Sequence, residues 1–207
     1  MDFDFDFQFK KQVIGIDEVG RGSWAGPVVA SAALINNNKK IDRRLNDSKK
    51  LSPKIRKDVF QNLTKYSFFG VGKISNDEID KIGIVNATFK AMQLALNNLL
   101  KKHYKVEKPI ILIDGILMPD FIQSFNAELK LIKKGDTLSP SIAAASVLAK
   151  CSRDNYMIKM DKIYSGYGFS KNMGYGSREH KERLFLNGPT RLHRMTFKPM
   201  NNLKKIF

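Results

Sequence analysis

The run Pro109-Ile-Ile-Leu-Ile-Asp114 constrains the fold more than any other segment of the chain. Its apolar residues are consecutive, so both sides of an extended backbone would be hydrophobic. Such a strand belongs at the centre of a sheet covered on both faces, the usual setting of parallel strands in α/β proteins. A carboxylate closes it. The segment 12–17, Gln-Val-Ile-Gly-Ile-Asp, repeats the pattern and also ends in a carboxylate. It runs into a turn containing Gly20, Gly22 and Gly26, and the apolar run at 27–35 reads as its hairpin partner.

Flanking signals supply the other elements. Ser52-Pro53 pairs an N-cap with a first-turn proline and predicts a helix to about 65. A third strand is expected over 67–74. Ser75-Asn-Asp-Glu78 reads as a capping box for a short helix, and a longer helix is expected over 85–103. Residues 129–133 give a fifth strand, Ser139-Pro140 opens a helix to about 160, and a last helix lies near 178–187. The small residues of Ser141-Ile-Ala-Ala-Ala-Ser146 would let that penultimate helix lie close against the sheet or a bound ligand. A strand meander followed by alternating helices and strands predicts a mixed α/β layer fold. One catalytic domain over 12–177 is expected. An N-terminal extension, 1–11, would precede it, and a helical, basic segment, 178–207, would pack on it. In 1–8, Asp and Phe alternate, which reads as a strand placing Asp2, Asp4 and Asp6 on one face, or as a frayed terminus.

Charge narrows the partners. The chain of 207 residues carries 36 Lys plus Arg against 20 acidic residues, a net +16. That excess favours a polyanion, nucleic acid or an anionic surface, although a Lys- and Asn-rich proteome would produce it too. No apolar run approaches the ~20 residues needed to span a bilayer, and the N-terminus lacks the pattern of a signal peptide. A cytoplasmic protein is expected. The single cysteine, Cys151, rules out an intramolecular disulfide and a cysteine-based zinc site, and reads as a small core residue.

The acidic residues fall at strand ends. Asp17 and Glu18 close the first strand, Asp114 closes the fourth, and Asp136 follows the fifth. If the first, fourth and fifth strands are parallel neighbours, these carboxylates meet at one edge, where ligands of open α/β sheets bind. Clustered carboxylates repel and call for hard divalent cations. A pair of such ions can activate water and stabilise the leaving oxygen of a phosphodiester. Solvated strand-end carboxylates fit the same spacing, and spacing alone does not choose between the two. Adjacent strand residues also point to opposite faces, so Asp17 and Glu18 share a site only if the strand ends at Asp17 and the glycine turn redirects Glu18.

Longer motifs do choose. Residues 13–35 resemble the opening motif of the ribonuclease HII family. The resemblance continues through Asp47-Ser-Lys-Lys-Leu-Ser52, Ile113-Asp-Gly115, Lys134-Gly-Asp-Thr-Leu-Ser139 with the helix up to Lys150, Arg153-Asp154, Gly174-Tyr-Gly-Ser-Arg-Glu-His180 and His193-Arg194. These blocks occur in order over about 13–197 and are similar to the bacterial branch.

The resemblance implies a ribonuclease H-like fold: a central mixed five-stranded sheet flanked by helices, with a helical C-terminal appendage. It implies a metal-dependent endoribonuclease acting on RNA–DNA hybrids. In ribonucleotide-containing duplex DNA it would cut 5′ of the ribonucleotide, leaving 3′-hydroxyl and 5′-phosphate ends. Asp17, Glu18, Asp114 and Asp136 would be catalytic and hold two Mn²⁺ or Mg²⁺ ions. Gly20, Arg21 and Gly22 would read the 2′-hydroxyl through main-chain groups, and Tyr175 would stack on the sugar at the deoxy side. A monomer with no membrane association is expected. A non-catalytic hybrid-binding protein is disfavoured by the full carboxylate set, and another phosphotransferase of this fold would need a separate substrate pocket.

Departures from the family pattern are Ser23-Trp24 for a common Pro-Leu, Ile116 for Asn, and Asn172 for His. Asp154, the rival fourth carboxylate, reads better as an ion-pair partner. His180 and His193 read as structural, and Trp24 as core rather than a base-stacking platform. Lys49, Lys50, Lys204 and Lys205 are candidate phosphate contacts, each weighed against a plain solvated lysine.

Overall fold

A computed structural model of the chain describes residues 1–103, 106, 108–117, 119, 125 and 127–203. Five strands form the sheet: β1 (Val13–Val19), β2 (Val28–Ile35), β3 (Ser67–Ile74), β4 (Ile110–Asp114) and β5 (Glu128–Ile132). Their order is β3-β2-β1-β4-β5. The first three form an antiparallel meander, and β4 and β5 extend it parallel to β1. The expected parallel neighbourhood of β1, β4 and β5 is therefore present. All three deliver their carboxyl ends to one edge.

Two helices cover the sheet. After α1 (Pro53–Tyr66) and α2 (Asn76–Ile82), α3 (Ile84–Lys102) packs across β3 and β2. On the other face α4 (Gly135–Leu138) leads into α5 (Pro140–Ile163), which packs on β1 and β2. The alternation of β1 divides between them. Ile14 and Ile16 are buried with Ala91, Ala95 and Leu99 of α3. Val13, on the opposite face, is buried with Ile142 of α5. At Gly15 a Cβ would stand 2.1 Å from the main chain of Ser141, so only glycine admits α5 this close. The small residues of α5 thus do what their size suggests. The chain finishes with α6 (Phe169–Asn172), α7 (Arg178–Asn187) and α8 (Met200–Leu203).

Both Ser-Pro signals mark real helix starts: Ser52 Oγ accepts from Ile55 N at 3.3 Å, and Ser139 Oγ from Ile142 N at 3.3 Å. The N-terminal segment, read as a strand or a frayed terminus, is neither. Residues Phe5–Phe9 form a 3₁₀ turn. Asp6 reaches the start of α5, accepting from Ser139 Oγ at 2.6 Å and from Ser141 N at 3.0 Å. A carboxylate at a helix N-terminus satisfies donors that the helix itself leaves free, and this fixes the segment. Among the described residues no helix is long and apolar enough to cross a membrane. Lys204 and Lys205 lie outside the described residues.

Candidate active site

Asp17, Asp114 and Asp136 converge where β1, β4 and β5 end. Each offers a carboxylate oxygen, and these oxygens all lie within 4.8 Å of one another. Main-chain and hydroxyl donors hold the group in place. Glu18 N donates to Asp17 Oδ1 at 2.7 Å, and Gly135 N donates to Asp114 Oδ1 at 2.7 Å. The Ser146 hydroxyl, on α5, bonds to Asp17 and lies 3.0 Å from Ser48 Oγ. Asp136, expected only to follow the fifth strand, is carried by the single turn of α4.

The cluster is electrostatically strained. Burial, then the charges of Glu18 and Asp114, push the Asp17 carboxyl well above the ordinary carboxylate range. Burial, then Asp114 and Asp47, push Asp136 up to about 6. Burial also raises Asp114, against the pull of the Gly135 N–H and Lys49. Oxygen donors gathered against their own repulsion fit a hard divalent cation, which restores the charged form of each group.

Glu18 does not join this triad. The expectation that β1 ends at Asp17 is corrected by the register, in which Glu18 pairs with Ala30 and Val19 with Val29. The strand stays extended, so Glu18 follows Ile14 and Ile16 onto the α3 face. There it borders a cavity of about 310 Å³ with Arg21, Met92, Ile113 and Asp114. Its Oε1 lies 3.5 Å from Arg21 Nη1. Burial raises the Glu18 carboxyl, Arg21 opposes that, and Asp114 adds to it. Asp114 is therefore common to both sides, a member of the triad and a wall of the Glu18 cavity.

Two residues given no catalytic part in the sequence reading stand beside the cluster. Asp47 stands close enough to Asp136 for its charge to raise that carboxyl. Lys49 acts electrostatically on Glu18, Asp114 and Asp136 together. The Asp47-Ser-Lys49 block carried that signal, since its charges sit within a motif quoted for the family.

The glycine loop follows β1. Gly20 has φ +91°, and a Cβ there would meet Arg153 Nε at 2.2 Å. Gly22 differs: a Cβ there meets nothing within 4 Å, so the loop presents open space at that point. Tyr175 is half-exposed, with the Arg153 guanidinium 5.5 Å from its ring centre. Its carbonyl accepts from His180 Nδ1 at 2.9 Å, and His180 Nε2 meets His193 Nε2 at 3.1 Å. Thr190 N donates to His193 Nδ1 at 2.9 Å, which orients the chain of protons toward Tyr175. Both histidines are buried and hydrogen-bonded. Trp24 packs against His180 with ring centres 5.5 Å apart. Asp154 pairs with Lys150 at 2.7 Å and Arg56 at 3.6 Å. Asn172, at the family's common His, accepts from Gly174 N at 2.8 Å and donates to Tyr167 O at 2.7 Å. Cys151 is only partly buried, packed against the cluster beneath α1.

Comparison with known proteins agrees with this arrangement. The family model described as Ribonuclease HII matches residues 14–200. Ribonuclease HII of Pelagibacter ubique is 41% identical over 194 residues, covering 93% of this chain and 99% of that protein. Ribonuclease HII of Caldicellulosiruptor bescii is 44% identical over 186 residues, covering 89% and 85%. The crystal structure of ribonuclease H2 from Pyrococcus horikoshii OT3 superposes with TM-score 0.75 at 26% identity, covering 94% of this chain and 98% of that one. Its fold has the same ribonuclease H-like architecture. With the carboxylates at one sheet edge and sequence agreement across nearly the whole length, the chain belongs to the ribonuclease HII family and is a nuclease that cleaves RNA.

Proposed function

We propose that this enzyme cuts the RNA strand of RNA–DNA hybrids and cuts duplex DNA on the 5′ side of an embedded ribonucleotide. It uses two divalent cations, Mg²⁺ or Mn²⁺, and leaves 3′-hydroxyl and 5′-phosphate ends. The observation that carries this reading is the convergence of Asp17, Asp114 and Asp136 beside a glycine loop that opens at Gly22.

Asp17, Asp114 and Asp136 would hold one ion, and Glu18 with the shared Asp114 a second. Bound there, the cations supply charge that activates a water and neutralises the leaving oxygen. The chain's own groups do the positioning. Glu18 N, Gly135 N and the Ser146 hydroxyl fix the carboxylates before substrate arrives. Gly20, Arg21 and Gly22 bring main-chain groups up to the 2′-hydroxyl, the atom that separates RNA from DNA. Glycine lets the backbone approach closely, and the space in front of Gly22 supports that role. Tyr175, half-exposed and backed by Arg153, offers a ring for the neighbouring deoxyribose. The net +16 supplies attraction for the duplex phosphates. Every group this reading uses lies on one chain, so a monomer would suffice for it.

The test is a DNA duplex carrying one ribonucleotide, incubated with Mg²⁺ or Mn²⁺. Cutting is expected with either ion, is abolished by EDTA, and is lost in Asp114→Asn while duplex binding persists. Undiminished cutting by Asp114→Asn would overturn the reading.

A further inference from the structure

Two arginines, Arg153 and Arg194, are completely buried. Among the described residues, neither forms an ion pair with a carboxylate. Burying a guanidinium without a counter-charge is costly, so each must be satisfied by other acceptors. Arg194 donates from Nε to Gly26 O at 3.0 Å, from Nη1 to Arg21 O at 2.9 Å and from Nη2 to Gly20 O at 2.7 Å. Arg153 donates from Nε to Pro27 O at 2.9 Å and from Nη1 to Met173 O at 2.7 Å. Its Nη2 reaches Ser23 Oγ at 2.7 Å and Ala25 O at 3.1 Å. Six of these seven acceptors are main-chain carbonyls, and all but Met173 lie within residues 20–27.

The bonds meet at the Gly20 carbonyl. It accepts from Arg194 Nη2 and from Ser23 Oγ at 2.9 Å, and Ser23 Oγ in turn accepts from Arg153. Ser23 is a point where this chain departs from the common family pattern, so this chain's hydroxyl links the two guanidinium groups. The fork geometry is specific to arginine: five donors in a fixed plane can hold several carbonyls at once, whereas a lysine ammonium cannot reproduce that plane.

We propose that Arg194, together with Arg153 and the Ser23 hydroxyl, is a positioning clamp for ribose recognition. By drawing the carbonyls of Gly20 and Arg21 inward, it fixes the plane of the loop main chain that meets the 2′-hydroxyl. The inference rests on the loop-reading role proposed above. None of these residues touches the reacting atoms.

The experiment compares binding of two DNA duplexes in EDTA by fluorescence anisotropy. The duplexes are identical except that one carries a single ribonucleotide. Wild-type protein, Arg194→Lys and Ser23→Ala are measured, with thermal unfolding of each. Wild type is expected to prefer the ribonucleotide duplex. Arg194→Lys is expected to lose about tenfold of that preference, the worth of roughly one well-placed hydrogen bond. Its affinity for the all-DNA duplex is expected to be unchanged, a separation that a general loss of structure would not produce. A wild type without preference removes the loop-reading role itself. A wild type with preference, matched by a folded Arg194→Lys of equal preference, overturns the clamp alone. Should Arg194→Lys fail to fold, Ser23→Ala decides: a reduced preference supports the clamp, and a full one overturns it.

Discussion

Asp17 and Glu18 are neighbours in β1 yet serve opposite faces of the sheet. Asp17 pairs across to Ser31 and meets Ser146 of α5, while Glu18 pairs with Ala30 and lines a cavity with Met92 of α3. The period of a strand demands this separation. The two carboxylates need no turn to bring them together, because Asp114 reaches both sides. One sheet edge thus presents acidic groups from above and below.

That burial sets stability against activity at Asp17. Its carboxyl is raised by desolvation and by its acidic neighbours, so a neutral isostere relieves repulsion when no cation is present. Asp17→Asn is expected to unfold at a higher temperature than wild type in EDTA. In Mg²⁺ it should cut more than about a hundredfold more slowly, since a metal centre contributes several kcal/mol to the transition state. Melting curves and single-turnover rates check both. A variant that is less stable in EDTA and still cuts well would contradict this placement.

Gly20 and Gly22 should respond differently to the same change. Gly20→Ala forces a Cβ to 2.2 Å from Arg153 Nε at positive φ, and is expected to cost about 1–3 kcal/mol of stability. Gly22→Ala places its methyl in open space and should leave urea unfolding unchanged while slowing cleavage of ribonucleotide substrates. A Gly22→Ala variant as destabilised as Gly20→Ala would contradict the open space, and one that cuts at the wild-type rate would contradict the loop-reading role.

Tyr175→Ala should slow cutting at a single embedded ribonucleotide more than cutting along a continuous hybrid. Only the single-ribonucleotide substrate always has a deoxyribose on the side where the ring is offered. Rates on the two substrates, measured side by side, check this. Equal losses would count against a junction-reading role.

The buried histidine pair gives the fold a pH dependence. His193 is held down to about 4, first by burial and then by the charge of His180, and His180 is itself lowered by burial. A lowered folded-state value means that the unfolded chain takes up the proton first. The stabilisation is therefore complete above the ordinary value of 6.5 and drains away as pH falls toward 4. The His193 contribution is on the order of 3 kcal/mol over that window. Between pH 7 and pH 5 wild type should lose stability relative to His193→Gln, read as the difference of their urea midpoints, because the raised carboxyls of Asp17 and Asp136 are common to both proteins and cancel. A midpoint difference that does not change across that range would exclude the linkage.

Strand-end carboxylates were legible because short apolar runs that stop at an acid have few other structural solutions. Ser52-Pro53 and Ser139-Pro140 were legible because capping is local chemistry. The clamp was not. In the sequence Arg153 and Arg194 stand only as members of the blocks Arg153-Asp154 and His193-Arg194, and only tertiary contacts reveal that they are buried against carbonyls far away in the chain. Asp6 escaped for the same reason, its partners lying more than a hundred residues away at the start of α5. The face of Glu18 could be misread because the end of β1 depended on pairing with β2, which carries the strand on to Val19.

Mapping the cut to a single nucleotide bears most heavily on the whole assignment. On duplex DNA with one ribonucleotide and Mg²⁺, cleavage is expected at the phosphodiester immediately 5′ of the ribonucleotide, with 3′-hydroxyl and 5′-phosphate ends and the all-DNA control left intact. Cleavage on the 3′ side, or equal cutting of the control, would contradict it.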